Sequence, residues 1–86
     1  MSRQEQIRKE VLLQLYASRP VPLSNERISR DARKQGYDFS RAEIARETEF
    51  LVDEGLAAVV QLRGSVERLF RISGDGVREY EQTFAL

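Results

Sequence analysis

The sequence predicts a mainly α-helical domain carrying a small β-hairpin, with a three-helix core and a short C-terminal helix. Three observations carry this. Ser40-Arg41-Ala42-Glu43 is a capping box: the Ser40 hydroxyl accepts from the Glu43 amide and the Glu43 carboxylate reaches back. Ile44, Thr48 and Leu51 then recur at i, i+4, i+7, one buried stripe of a helix. Beyond Gly55, two strand-like runs flank the turn signal Arg63-Gly64-Ser65.

A first helix is predicted from about Arg3 to Ser18, with Ile7, Val11 and Leu15 as its main stripe. Leu12, Leu13 and Tyr16 spread apolar surface around its second half, so it is buried on more than one side. Either the other helices cover it, or its second face meets another subunit. Arg19-Pro20-Val21-Pro22 ends it, because proline cannot continue a helix and the residue before each proline is pushed extended. Ser24 is the predicted N-cap of a second helix, Asn25 to about Gln35, with Ile28 and Ala32 inward and Gly36 closing it. One or both of Tyr37 and Phe39 should plug the gap before the next helix.

The third helix is predicted from Arg41 to Glu54. At ~100° per residue its outward face is Ala42, Arg46, Glu49 and Asp53. Thr48, in the buried stripe, needs a partner such as the carbonyl one turn back. Leu56–Val60 and Val66–Ile72 read as strands, and alternation puts Val66, Arg68, Phe70 and Ile72 on one face. Asp75 is the predicted cap of a last helix from Gly76 to about Thr83. Its Val77, Tyr80 and Phe84 stripe either packs on the first helix or crosses to a second chain.

The chain has 86 residues, room for one domain spanning 1–86. With 41% hydrophobic and 33% charged residues it is an ordinary globular composition. Fourteen basic residues balance 14 acidic ones, which argues against a strong non-specific nucleic-acid binder. There is no cysteine to form a disulfide. The polar N-terminus is no signal peptide, and no apolar run approaches the ~20 residues of a membrane helix. A cytoplasmic protein without a membrane partner is expected.

The absence of histidine and cysteine removes the usual neutral-pH base, the thiolate nucleophile and the soft metal ligands. No enzymatic activity and no cofactor are expected. Glu43 and Glu47 stand at i, i+4, but two carboxylates without further oxygen ligands read as a solvated face rather than a cation site. Gly74-Asp75-Gly76 is a turn, lacking the third glycine of a nucleotide loop.

Leu51-Val52-Asp53-Glu54-Gly55-Leu56 and Phe70-Arg71-Ile72-Ser73-Gly74-Asp75-Gly76 resemble the L-x-x-x-G-L and Y-x-L-T-x-x-G phrases of MarR-like and ArsR-like regulators. Over nearly its whole length the chain resembles that winged helix-turn-helix superfamily, including its small phage-borne members. The resemblance implies a two- to three-stranded wing and a third helix lying in the major groove of double-stranded DNA. On that reading the start of the helix offers Ser40, Arg41, Ala42, Ala45 and Arg46. Arg46 is the expected base reader, because its fork matches the N7 and O6 acceptors of guanine. Ala42 and Ala45 admit close approach to a thymine methyl, and Ser40 and Arg41 can hold a phosphate. Arg30, Arg33 and Lys34 of the second helix would cross the backbone. Arg63 and Arg68 of the wing (57–72) would touch phosphate or minor groove.

The resemblance also implies a homodimeric transcriptional regulator, joined through the first and last helices. The long extra dimerisation helix of MarR-like proteins is missing, and without cysteine or histidine a metal-sensing role is not expected. Glu43, Glu47 and Glu49 share the reading helix with Arg46 and oppose phosphate. They should pair with Arg46 or the second helix, or lie away from DNA. The alternative, favoured by the neutral net charge and the acidic third helix, is a winged-helix protein-interaction or assembly module of the phage-encoded kind, without DNA binding.

Overall fold

A computed structural model describes residues 1–84. They form α1 (Arg3–Ser18), β1 (Leu23–Ser24), α2 (Asn25–Lys34), α3 (Arg41–Asp53), β2 (Ala57–Gln61), β3 (Arg68–Ile72) and α4 (Gly74–Thr83). The described residues thus make four helices and a three-stranded antiparallel sheet of order β1-β3-β2. The register sets Leu23 and Val59 on either side of Phe70, which is buried at the centre of the sheet.

Each helix starts where a side chain can satisfy its free amides. Ser2 and Glu5 make a capping box on α1, and Ser40 and Glu43 make the predicted one on α3. Ser24 caps α2 through the Arg27 amide at 3.1 Å. The cap of α4 corrects the sequence expectation. Ser73, not Asp75, accepts from the Gly76 amide at 3.0 Å, so the helix begins at Gly74. Asp75 lies in the first turn and pairs with Arg78. Gly55, at φ +76°, ends α3 in a Schellman pattern: Leu56 N donates to Leu51 O at 2.8 Å and Gly55 N to Val52 O at 3.0 Å.

α1 is buried on several sides. Ile7, Val11, Leu12 and Leu15 enter the core with Ile28, Ala32, Phe39, Ile44, Leu51, Phe70 and Ile72. Glu10 and Gln14 are buried as well, which the sequence reading missed. Glu10 accepts from Gln14 Nε2 at 2.7 Å and from Gln35 Nε2 at 3.0 Å, joining α1 to the end of α2. Desolvation raises the Glu10 pKa above the usual carboxylate value, against the Gln14 hydrogen bond. The stripe of α4 turns back onto α1: the Tyr16 and Tyr80 rings lie 4.4 Å apart, and the Tyr16 hydroxyl donates to Glu81 at 2.7 Å. Of the two aromatics before α3, Phe39 is buried, while Tyr37 stacks on it and stays exposed.

The strand limits also differ from the sequence reading. The short strand β1, Leu23 and Ser24, pairs with β3, while Val21 between the two prolines is exposed. β3 begins at Arg68 because its partner strand ends at Gln61. Val66 therefore lies outside the ladder, 95% exposed rather than on the core face.

Candidate nucleic-acid interface

The outward face of α3 is built by what the inward face excludes. Ile44, Thr48 and Leu51 are buried, and Thr48 Oγ1 donates to Ile44 O at 2.7 Å, as expected of a threonine in that stripe. It also lies 2.9 Å from Asn25 Oδ1, joining α3 to the start of α2. Ala42 and Arg46 are then turned to solvent, with Ala45 half-buried on the flank.

The three glutamates of α3 are engaged, but with neither Arg46 nor α2. Glu43 takes a two-pronged hydrogen bond from Arg3, Nε to Oε2 at 2.7 Å and Nη2 to Oε1 at 3.1 Å. The same guanidinium reaches Asp38 Oδ1 at 3.2 Å, so the start of α1 clamps the loop and cap before α3. Glu47 is buried and accepts from Arg8 Nε at 2.6 Å, while the Arg8 guanidinium lies 3.6 Å from the centre of the Phe50 ring. Glu49 pairs with Arg68 of the hairpin. Glu43 and Glu47 are thus not a solvated face, as the sequence reading had it: each is held by an arginine of α1. At ~100° per residue Glu47 falls only about 40° from Leu51. That flank position was the available sign of its burial.

The Arg3 hydrogen bonds, helped by the Ser40 amide, hold the Glu43 carboxyl down to about 2, while Arg3 itself is shifted upward. A carboxylate depressed by folding stabilises the native state fully above its ordinary value of 4.5 and loses that contribution as pH falls through about 2. Acid unfolding of the native chain should therefore steepen between about pH 4.5 and pH 2. A Glu43→Gln variant, followed by circular dichroism across that range, should show a shallower decline. Equal slopes would show that the Arg3 clamp does not persist in solution.

Among the described residues no carboxylate pairs with Arg46, Arg30, Arg33, Lys34 or Arg63. The other two candidate cations are engaged: Arg68 with Glu49, and Arg41 with Glu26 of α2 at 3.7 Å. Ser40 Oγ serves the capping box, accepting from the Glu43 amide at 3.1 Å, and keeps its own proton to donate. The Glu49 pair brings Arg68 to the face that carries Ala42 and Arg46. Lys34 instead lines a groove with Gln14, Ala17 and Ser18, on the α1 side of α2. Arg30 and Arg33 are exposed on α2, and Arg63 stands exposed at the hairpin turn.

Of the aromatic side chains around the helices, Tyr37 is exposed, whereas Phe50 and Tyr80 are covered. Phe50 lies under Arg8 and Tyr80 against Tyr16. Apolar exposure concentrates on the hairpin, at Val59, Leu62 and Val66. No helix of the described residues is long and apolar enough to cross a membrane. Comparison with protein-family models, with curated proteins and with solved structures finds no match to this chain.

Proposed function

We propose that this chain is a small winged-helix DNA-binding protein, acting as a homodimer. α3 would dock in the major groove, and the β2–β3 hairpin would serve as the wing on the backbone. One observation carries the reading. The three glutamates that would repel phosphate are tied to Arg3, Arg8 and Arg68, whereas Arg46 has no carboxylate partner among the described residues and stands beside the small side chains Ala42 and Ala45. An arginine free to fork onto guanine, on a helix face open to close approach, is what base readout requires. Arg30 and Arg33 would contribute phosphate contacts, which position the protein without specifying sequence.

Binding to a pool of random duplexes at two salt concentrations tests this. The wild type should select a two-fold symmetric site with half-sites about one helical turn apart. Arg46→Ala should weaken that site by about 1–3 kcal/mol and relax the preference at one base pair. Arg33→Ala should weaken all sites alike and reduce the salt slope by about one. No binding at low salt would overturn the reading. It would favour the alternative of a protein-docking module, which the zero net charge, the neutralised Arg68 and the apolar hairpin support.

A further inference from the structure

The two edges of the sheet are unlike. β1 is two residues long and follows Pro20 and Pro22, so that edge is short and guarded. β2 is the other edge, bonded among the described residues only to β3. The Ser73 amide donates to Leu56 O at 3.1 Å, which fixes the phase of the ladder. In an antiparallel pair the bonded and non-bonded positions alternate, so Ala58 and Val60 bond to β3. Ala57, Val59 and Gln61 then turn their N–H and C=O groups to the open side. Among the described residues no backbone group meets them there. None of the usual edge guards is present: residues 55–62 hold no charge and no proline.

We propose that this edge binds the same edge of a second copy, antiparallel, about a two-fold axis at Val59. Ala57, Val59 and Gln61 are symmetric about Val59, so both copies offer donors and acceptors in matching positions. Val59 faces Val59 of the second copy, and Ala57 faces its Gln61, giving about six main-chain bonds. Charge selects the antiparallel sense. Asp53 and Glu54 precede β2 and Arg63 follows it, all three exposed and without an ion pair among the described residues. Antiparallel pairing brings the Arg63 end of each copy to the Asp53–Glu54 end of the other, whereas a parallel pair would set like against like. Val59 and Leu62, both exposed in the single chain, would gain cover at the join. The α1 and α4 stripes, the other apolar surfaces, already face each other within the chain.

Sedimentation equilibrium of the full chain without DNA tests this independently of the nucleic-acid reading. The wild type should be a dimer. Val59→Pro removes an N–H from the open side and none from the β3 ladder, so it should be monomeric with an unchanged helical spectrum. Arg63→Glu, a turn substitution that leaves the strand alone, should raise the dimer dissociation constant roughly tenfold. Adding Glu54→Arg should recover most of that loss. A monomeric wild type would overturn the proposal, and the homodimer of the DNA reading with it, while the Arg46 base contact would still be decided by the duplex-binding experiment. A Val59→Pro variant that stays dimeric, or an Arg63→Glu variant with unchanged affinity, would also overturn the proposal.

Discussion

Gly76→Ala is expected to lower stability by about 3 kcal/mol or more, a fall in Tm of roughly 10–25 °C for a domain of this size. A Cβ at Gly76 would stand 2.0 Å from Leu56 O and 2.7 Å from Ile72 Cγ1. The first neighbour is backbone and cannot rotate away. Leu56 O already accepts from the Ser73 amide, and Gly55 O beside it accepts from Ser73 Oγ at 2.5 Å. Relieving the clash therefore means moving the end of α3, the start of β2 and the α4 cap together. Gly74→Ala is the control. Its Cβ would meet only the flexible Arg78 guanidinium at 3.8 Å, so the change should stay within about 0.5 kcal/mol. Urea denaturation of both variants measures the contrast. A Gly76→Ala loss below 1 kcal/mol would mean that α4 is not seated on Leu56 in solution.

That contact also marks the boundary of what a sequence can say. Caps and stops are local chemistry, and they were legible. Ser24, the Ser40–Glu43 box and the Gly55 stop stand where their residue types put them, and Thr48 bonds back to Ile44 as a buried threonine must. The one cap misread, Asp75 for Ser73, was settled by tertiary structure. At the end of β3, Ser73 can accept from Gly76 N and donate to Gly55 O together, which Asp75 cannot. Alternation carried β3 too far, to Val66, because pairing stops with the partner strand rather than with the pattern.

The candidate site was less legible for a single reason: its acids are matched by distant arginines. Arg3 to Glu43, Arg8 to Glu47 and Arg68 to Glu49 span 40, 39 and 19 residues, and no local period joins them. Read along the chain, α3 is an acidic helix. In three dimensions Glu43, Glu47 and Glu49 are each held by an arginine, Asp53 stays exposed at the far end of the helix, and Arg46 is left on the outward face.

The pair that carries most of this arrangement is Arg8–Glu47, and Arg8→Ala is expected to cost about 3–5 kcal/mol. Glu47 is 2% exposed, and Arg8 Nε is its hydrogen-bond partner among the described residues. Removing the arginine leaves a buried charge uncompensated and strips the guanidinium from the Phe50 face, where it lies 3.6 Å from the ring centre. Glu47→Gln keeps an oxygen that can accept from Arg8, so its cost should be smaller, about 1–2 kcal/mol. An apolar pair, Arg8→Met with Glu47→Leu, should return to within about 1 kcal/mol of the wild type, because desolvation offsets most of what a buried ion pair gains. The pair then matters mainly for direction: it fixes the rotation of α3 about its axis, and hence where Ala42 and Arg46 point. A double-mutant cycle measures this. A coupling below about 0.5 kcal/mol would show that Glu47 finds other partners when Arg8 is gone, and that α3 is not oriented by this contact.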